Sequence, residues 1–164
     1  MRKWRFPTRR RTSLAAGLFR RLAENADYFD VMYKITPNDA ESDQGYMNLS
    51  SVALGSMEDQ TETVLRSDVS GELPLKKRTQ GQIIGANWVG LARRDAKELF
   101  AIAWPPGSFE KVRYDRQNFS LLLQPESAPW KRGEKSHTYR VRYYYGPDSP
   151  QAYESLRLLA SENR

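Results

Sequence analysis

Residues 87–104, NWVGLARRDAKELFAIAW, place two short apolar runs on either side of RRDAKE, which is too charged to bury. Trp88 to Ala92 and Leu99 to Trp104 are too short for separate helices and rich in residues that suit a pleated surface. The pair therefore reads as a β-hairpin with its charged turn in water. Pro105 and Pro106 stop the second strand, since neither has an N–H to give to a ladder. Trp88 and Trp104, bounded by apolar neighbours, are expected to fill the core between two sheets.

Other segments repeat the strand signal. In YFDVMYKIT, residues 28–36, the side chains of Phe29, Val31, Tyr33 and Ile35 share one face, and those of Asp30, Met32 and Lys34 the other. HTYRVRYYYG, residues 137–146, alternates as cleanly, with His137, Tyr139, Val141, Tyr143 and Tyr145 on one side. FSLLLQP, residues 119–125, reads as a strand stopped by proline, and YMNLSSVALG as a further strand. From Ser56 to Lys77 the chain is polar, and loop with an edge strand is expected there. After Gly146 and Pro147 the period changes. Ser149 suits an N-cap and Pro150 the first helical position. Ala152, Tyr153, Leu156, Leu159 and Ala160 then recur at three and four residue spacing, which predicts a helix from about 149 to 161. Strands joined by turns, without βαβ alternation, make the expected fold a mainly β antiparallel sandwich with a C-terminal α-helix.

The 164 residues are enough for one core, so a single domain over 18–164 is expected, behind a basic tail at 1–17. Net charge is +6, but eight of the 26 basic residues fall in the first 21, where there is no acid. The remaining 18 face 20 acidic ones, a balance of −2, and no basic stripe interleaved with aromatics follows the tail. Nucleic acid is therefore not expected as the main partner. Within the tail, Leu14, Leu18 and Leu22 stand at the spacing of an organellar transit peptide or a basic amphipathic surface helix, TRRRTSL faintly resembles a twin-arginine export signal without a cleavage site, and a frayed end is the plain alternative to both. There is no cysteine and one histidine, which excludes disulfides, thiolate zinc sites and multi-histidine metal sites. No run of 18 apolar residues occurs, so no transmembrane segment is expected in these residues, and the isolated chain is expected to be soluble.

Catalytic patterns are weak. A Ser-His-acid triad would have to use His137, inside a tyrosine-rich strand, and Glu58, Asp59, Glu62, Asp95 and Glu98 lie where solvated charge is the default. Gly81, Gly85 and Gly90 have no nucleotide-binding spacing and read as turn or close-packing glycines. No metal or cofactor is called for, and the chain is not expected to be an enzyme. Trp130, in APWKRG, is the tryptophan best placed to be exposed and to stack on a ligand.

The ordered set of NWVGLA, charged turn, LFAIAWPP, FSLLLQP and a strand ending YYYGP before a capped helix resembles the large periplasmic domain of YidC-type membrane protein insertases. That family pairs a "WV" strand with an aromatic strand ending in proline, and closes a later strand with an aromatic-x-GP motif before a short helix. Here these features fall on Trp88–Val89, Leu99 to Pro105, and Tyr145-Gly146-Pro147 with Tyr153 to Leu159; DYFDVMYKITPND is similar to an earlier family strand. The likeness runs over about residues 18 to 160. It implies a twisted supersandwich like that of sugar mutarotases, at the periplasmic face of the bacterial inner membrane. It also implies contacts with Sec translocon components and client membrane proteins, as a non-catalytic aid to insertion. Tyr153, Leu156 and Leu159 would set the domain's angle to the membrane, with Gly146 and Pro147 at the corner. The family's first transmembrane segment and its five-helix core are absent from these residues, so the chain is expected to be part of a longer protein. An extracytoplasmic carbohydrate-binding or carbohydrate-modifying β-sandwich is the alternative.

Overall fold

The structure, a computed structural model, describes residues 14–17, 27–35, 44–45, 63–75, 79–116, 121–131 and 137–161. Over these the chain forms β1 Leu14–Gly17, β2 Tyr28–Ile35, β3 Gln44–Gly45, β4 Thr63–Ser67, β5 Gly71–Pro74, β6 Gln80–Ile84, β7 Trp88–Arg93, β8 Glu98–Ala103, β9 Lys111–Arg116, β10 Leu121–Glu126, β11 Trp130–Lys131, β12 His137–Pro147 and the helix α1 Pro150–Ser161. A seven-stranded sheet runs in the order β1-β2-β12-β8-β7-β4-β5, a three-stranded one in the order β10-β9-β6, and β11 pairs with β3. All neighbours are antiparallel.

The hairpin β7–β8 explains how the layers stack. Its register sets Trp88, Gly90 and Ala92 beside Ala103, Ala101 and Leu99, and sets Val89 and Leu91 beside Ile102 and Phe100. Alternation therefore gives one face mostly of small residues and one of large residues. The large face, extended by Leu65 of β4 and by Tyr139 and Val141 of β12, meets Ile83, Val112 and Leu123 of the three-stranded sheet in one core. Trp104 closes that core with Phe109 edge-on at 5.1 Å, and its Nε1–H donates to the Ala86 carbonyl at 2.9 Å. The small face seats α1, whose Ala152, Leu156 and Leu159 are buried against Val64, Trp88, Ala92, Leu99, Ala101 and Ala103. Gly90 belongs to this seat: a Cβ there would stand 2.8 Å from the Phe100 carbonyl oxygen and 2.9 Å from the Ala101 Cβ. The result is a mainly β sandwich with one helix on the outer face of its larger sheet.

Several expectations need correction. Trp88 does not lie between the sheets; it is one position out of phase with Trp104 on the paired strand and faces the helix. Thr63–Ser67 is not loop: β4 is buried between β5 and β7, while β5 is the edge strand of the sheet. Pro125 does not stop its strand but sits inside β10, opposite Val112, which an edge strand tolerates. Leu14–Gly17 pairs with β2 as a strand, so helical spacing fails at Leu14. β6 and β9 were not foreseen. The tail at 1–13, the YMNLSSVALG segment, Glu58, Asp59 and Glu62 lie outside the described residues.

Candidate functional site

Of the residues that the sequence singled out, Gly146, Pro147, Tyr153, Leu156 and Leu159 gather where β12 turns into α1. Gly146 and Pro147 are the last two residues of β12, still paired with Leu99 and Glu98, so the corner itself falls one step later, at Asp148 and Ser149. Gly146 is required by close approach: a Cβ there would meet the Tyr144 hydroxyl at 2.8 Å and the Asp27 carboxylate at 2.9 Å. The Tyr144 hydroxyl donates to the Pro147 carbonyl at 2.9 Å, bracing the strand end. Burial pushes the Tyr144 hydroxyl above its usual pKa, as do the neighbouring Asp27 and Asp148 charges, so it stays a donor. Ser149 caps the helix, its hydroxyl accepting from the Ala152 N–H at 3.2 Å, and the Asp148 N–H donates to the Lys97 carbonyl at 2.8 Å. Lys97 closes the hairpin turn at φ 52°, so the charged turn and the helix corner hold each other.

Two ion-pair latches, neither visible in the sequence, fasten α1 to the sheet. In the first, Arg66 Nη1 of β4 donates to both carboxylate oxygens of Asp148 at 2.7 Å and also to the Tyr153 hydroxyl, while its other amino group reaches Glu72. Tyr153 donates in turn to Asp148, and its ring stacks on Trp88 with centroids 5.5 Å apart. In the second, Arg142, only 4% exposed, donates from Nε to Asp30 Oδ1 at 2.8 Å and from Nη2 to Asp30 Oδ2 at 3.1 Å. Its Nη1 donates to the Ser155 carbonyl of α1 at 3.0 Å, and its guanidinium lies 3.9 Å over the Tyr28 ring. Arg140 Nη2 adds a 2.6 Å bond to the same carboxylate. Burial works to raise the Asp30 pKa, but the hydrogen bonds and charges of Arg142 and Arg140 outweigh it and hold the carboxyl below its usual value.

Of the expected contact residues, Leu156 and Leu159 are fully buried against the chain's own sheet, and Tyr153 is half-buried over Trp88. Trp130 is placed by its backbone, opposite Gly45, away from the helix corner in the pairing; its side chain lies outside what is described. Pro105 is buried just after β8. What faces solvent instead is an aromatic ledge: Phe29, 44% exposed, stacks on Tyr143 at 5.1 Å, and Tyr145 is 63% exposed. The Tyr33 and Tyr143 hydroxyls are 2.9 Å apart, and burial with that bond raises the Tyr143 pKa far above the ordinary phenol value. The alternation that made YFDVMYKI and HTYRVRYYY legible as strands also put these rings on one face; only their cover could not be read.

His137 lines an open cleft at the other end of β12, with Thr138 and Tyr139. Among the described residues no group of three His, Asp or Glu side chains could hold a metal ion, and no helix is long and apolar enough to cross a membrane. Compared with known proteins, the chain matches no family model and no curated protein.

Proposed function

We propose that the chain is a non-catalytic extracytoplasmic domain of a YidC-type membrane protein insertase, standing at the periplasmic face of the inner membrane. It assists insertion and folding by contact, with Sec translocon components and client membrane proteins as partners, and its sandwich is the twisted supersandwich similar to sugar mutarotases. The observation that supports this most is the fastening of α1. Two leucines and two arginine latches tie the helix to the sheet at its start and middle, so the direction of α1 relative to the sheet is fixed. A domain that acts by spacing and orientation needs that rigidity, whereas a free-standing binder does not. The coding sequence beyond both ends tests the assignment. One encoded apolar span before the domain and five after it are the expected result; continuous coding sequence with no such spans overturns it.

The exposed pair Phe29 and Tyr145 favours one rival, a carbohydrate-binding sandwich, because flat rings beside hydroxyls are what a sugar face stacks on. Titrating tyrosine and tryptophan fluorescence with mono- and oligosaccharides separates the two. The insertase reading expects no saturable change, and saturable quenching would favour the rival.

A further inference from the structure

β12 has two neighbours of unequal length. Its ladder to β2 runs from His137 to Tyr144, whereas its ladder to β8 begins only at Arg142. β8 leaves the sheet at Trp104, Pro105 and Pro106, where the two prolines remove donors and fix φ. Continuing the β8–β12 register would set Pro106 opposite Tyr139, Gly107 opposite Thr138 and Ser108 opposite His137. Instead these six residues stand as facing walls of an open cleft of about 360 Å³, closed on a third side by residues 127–129. The cleft is a ladder opened like a fork, and its size lies in the range of pockets that take ligands.

The register also fixes where the main-chain groups point. The Tyr145 N–H donates to the Asp27 carbonyl at 2.8 Å, on the β2 side. Alternation then turns the amides of odd-numbered residues of β12 toward β2 and those of even-numbered residues, Thr138 among them, toward the side of β8. At Thr138 that side is the cleft. The opposite wall offers no strand: Pro106 has no N–H, Gly107 is in a turn at φ 79°, and the Ser108 N–H is spent on the Pro105 carbonyl at 3.1 Å. A strand edge that faces an open slot is the requirement for β-strand addition. His137 and Tyr139 supply an aromatic wall, with ring centroids 6.4 Å apart and planes inclined at 29°, and no Asp, Glu, Lys or Arg side chain lines the cleft.

We propose that the fork binds an extended, uncharged stretch of polypeptide that adds to β12 at Thr138 in the place β8 vacates. The slot stands on the cleft's own geometry, so it holds whether or not the domain belongs to an insertase. The test is an amide-resolved NMR titration of the full chain with the peptide acetyl-Thr-Val-Thr-Val-Thr-amide, beside the same peptide N-methylated at every internal residue. Saturable shifts centred on Gly107, Ala128 and Thr138 are expected, with binding of the N-methylated peptide weaker by about tenfold or more, the equivalent of one lost hydrogen bond or more. Ala128→Trp, which fills the cleft from an exposed position, should abolish binding while leaving the rest of the spectrum in place. Shifts that do not saturate, shifts centred on Phe29 and Tyr145 instead, or equal binding of both peptides would overturn the proposal.

Discussion

Asp30 links β2, β12 and α1. Its carboxylate is shared by Arg140 and Arg142, and through Arg142 it reaches the backbone of α1. Asp30 is only part-buried, but removing its charge leaves the buried Arg142 guanidinium without its carboxylate, which costs about 1–3 kcal/mol. Asp30→Asn should therefore lower the denaturant midpoint strongly without changing the secondary structure content. The pH dependence has a definite sign. Because the folded pKa lies below the ordinary value of 3.8, the stabilisation is present above that value and is lost as pH falls through the folded one. Unfolding free energy measured from pH 6 to pH 2 should fall on the acid side in the native chain, and the Asp30→Asn variant should have a shallower slope. Equal slopes would mean that the carboxylate is not held by its arginines.

At the level of elements, the seat of α1 rests on size alternation within β7 and β8, where Gly90, Ala92, Ala101 and Ala103 clear the space that Leu156 and Leu159 fill. Leu156→Ala should cost about 2–5 kcal/mol in equilibrium unfolding, as for a fully buried leucine whose surroundings cannot collapse, and a cost under about 1 kcal/mol would place the helix off the sheet. The elements legible in the sequence were those whose signal is local. The hairpin, β2, β12 and the capped helix each carry their own period or cap, so their positions could be read directly. β9 carried such a signal as well: KVRYDR alternates Val112 and Tyr114 with charged residues, a pattern sufficient to find it. β4 carried none, since TVLRS is five residues with an arginine inside, and its burial comes from its neighbours β5 and β7. The placement of Trp88 failed for a related reason, because which of two covered faces a strand residue looks toward depends on the pairing and not on hydrophobicity. The latches were out of reach altogether. Arg66 and Asp148 are 82 positions apart, and Asp30 and Arg142 are 112 apart, so only the assembled sheet brings them together.

For the whole molecule, the burial of Leu156 and Leu159 against β7 and β8, together with the two arginine latches, makes sheet and helix one cooperative body. The proposed spacer role depends on this, because a helix that detached while the sandwich stayed folded would fix no angle. Native-state hydrogen exchange of the intact chain measures it most directly, since exchange through local opening and exchange through global unfolding respond differently to denaturant. The prediction is that the amides of α1 from Glu154 to Leu159 exchange only through the same global opening as those of β7 and β8, with matching protection and matching denaturant slopes. Faster exchange of these amides through a denaturant-insensitive opening, while β7 and β8 remain protected, would contradict it.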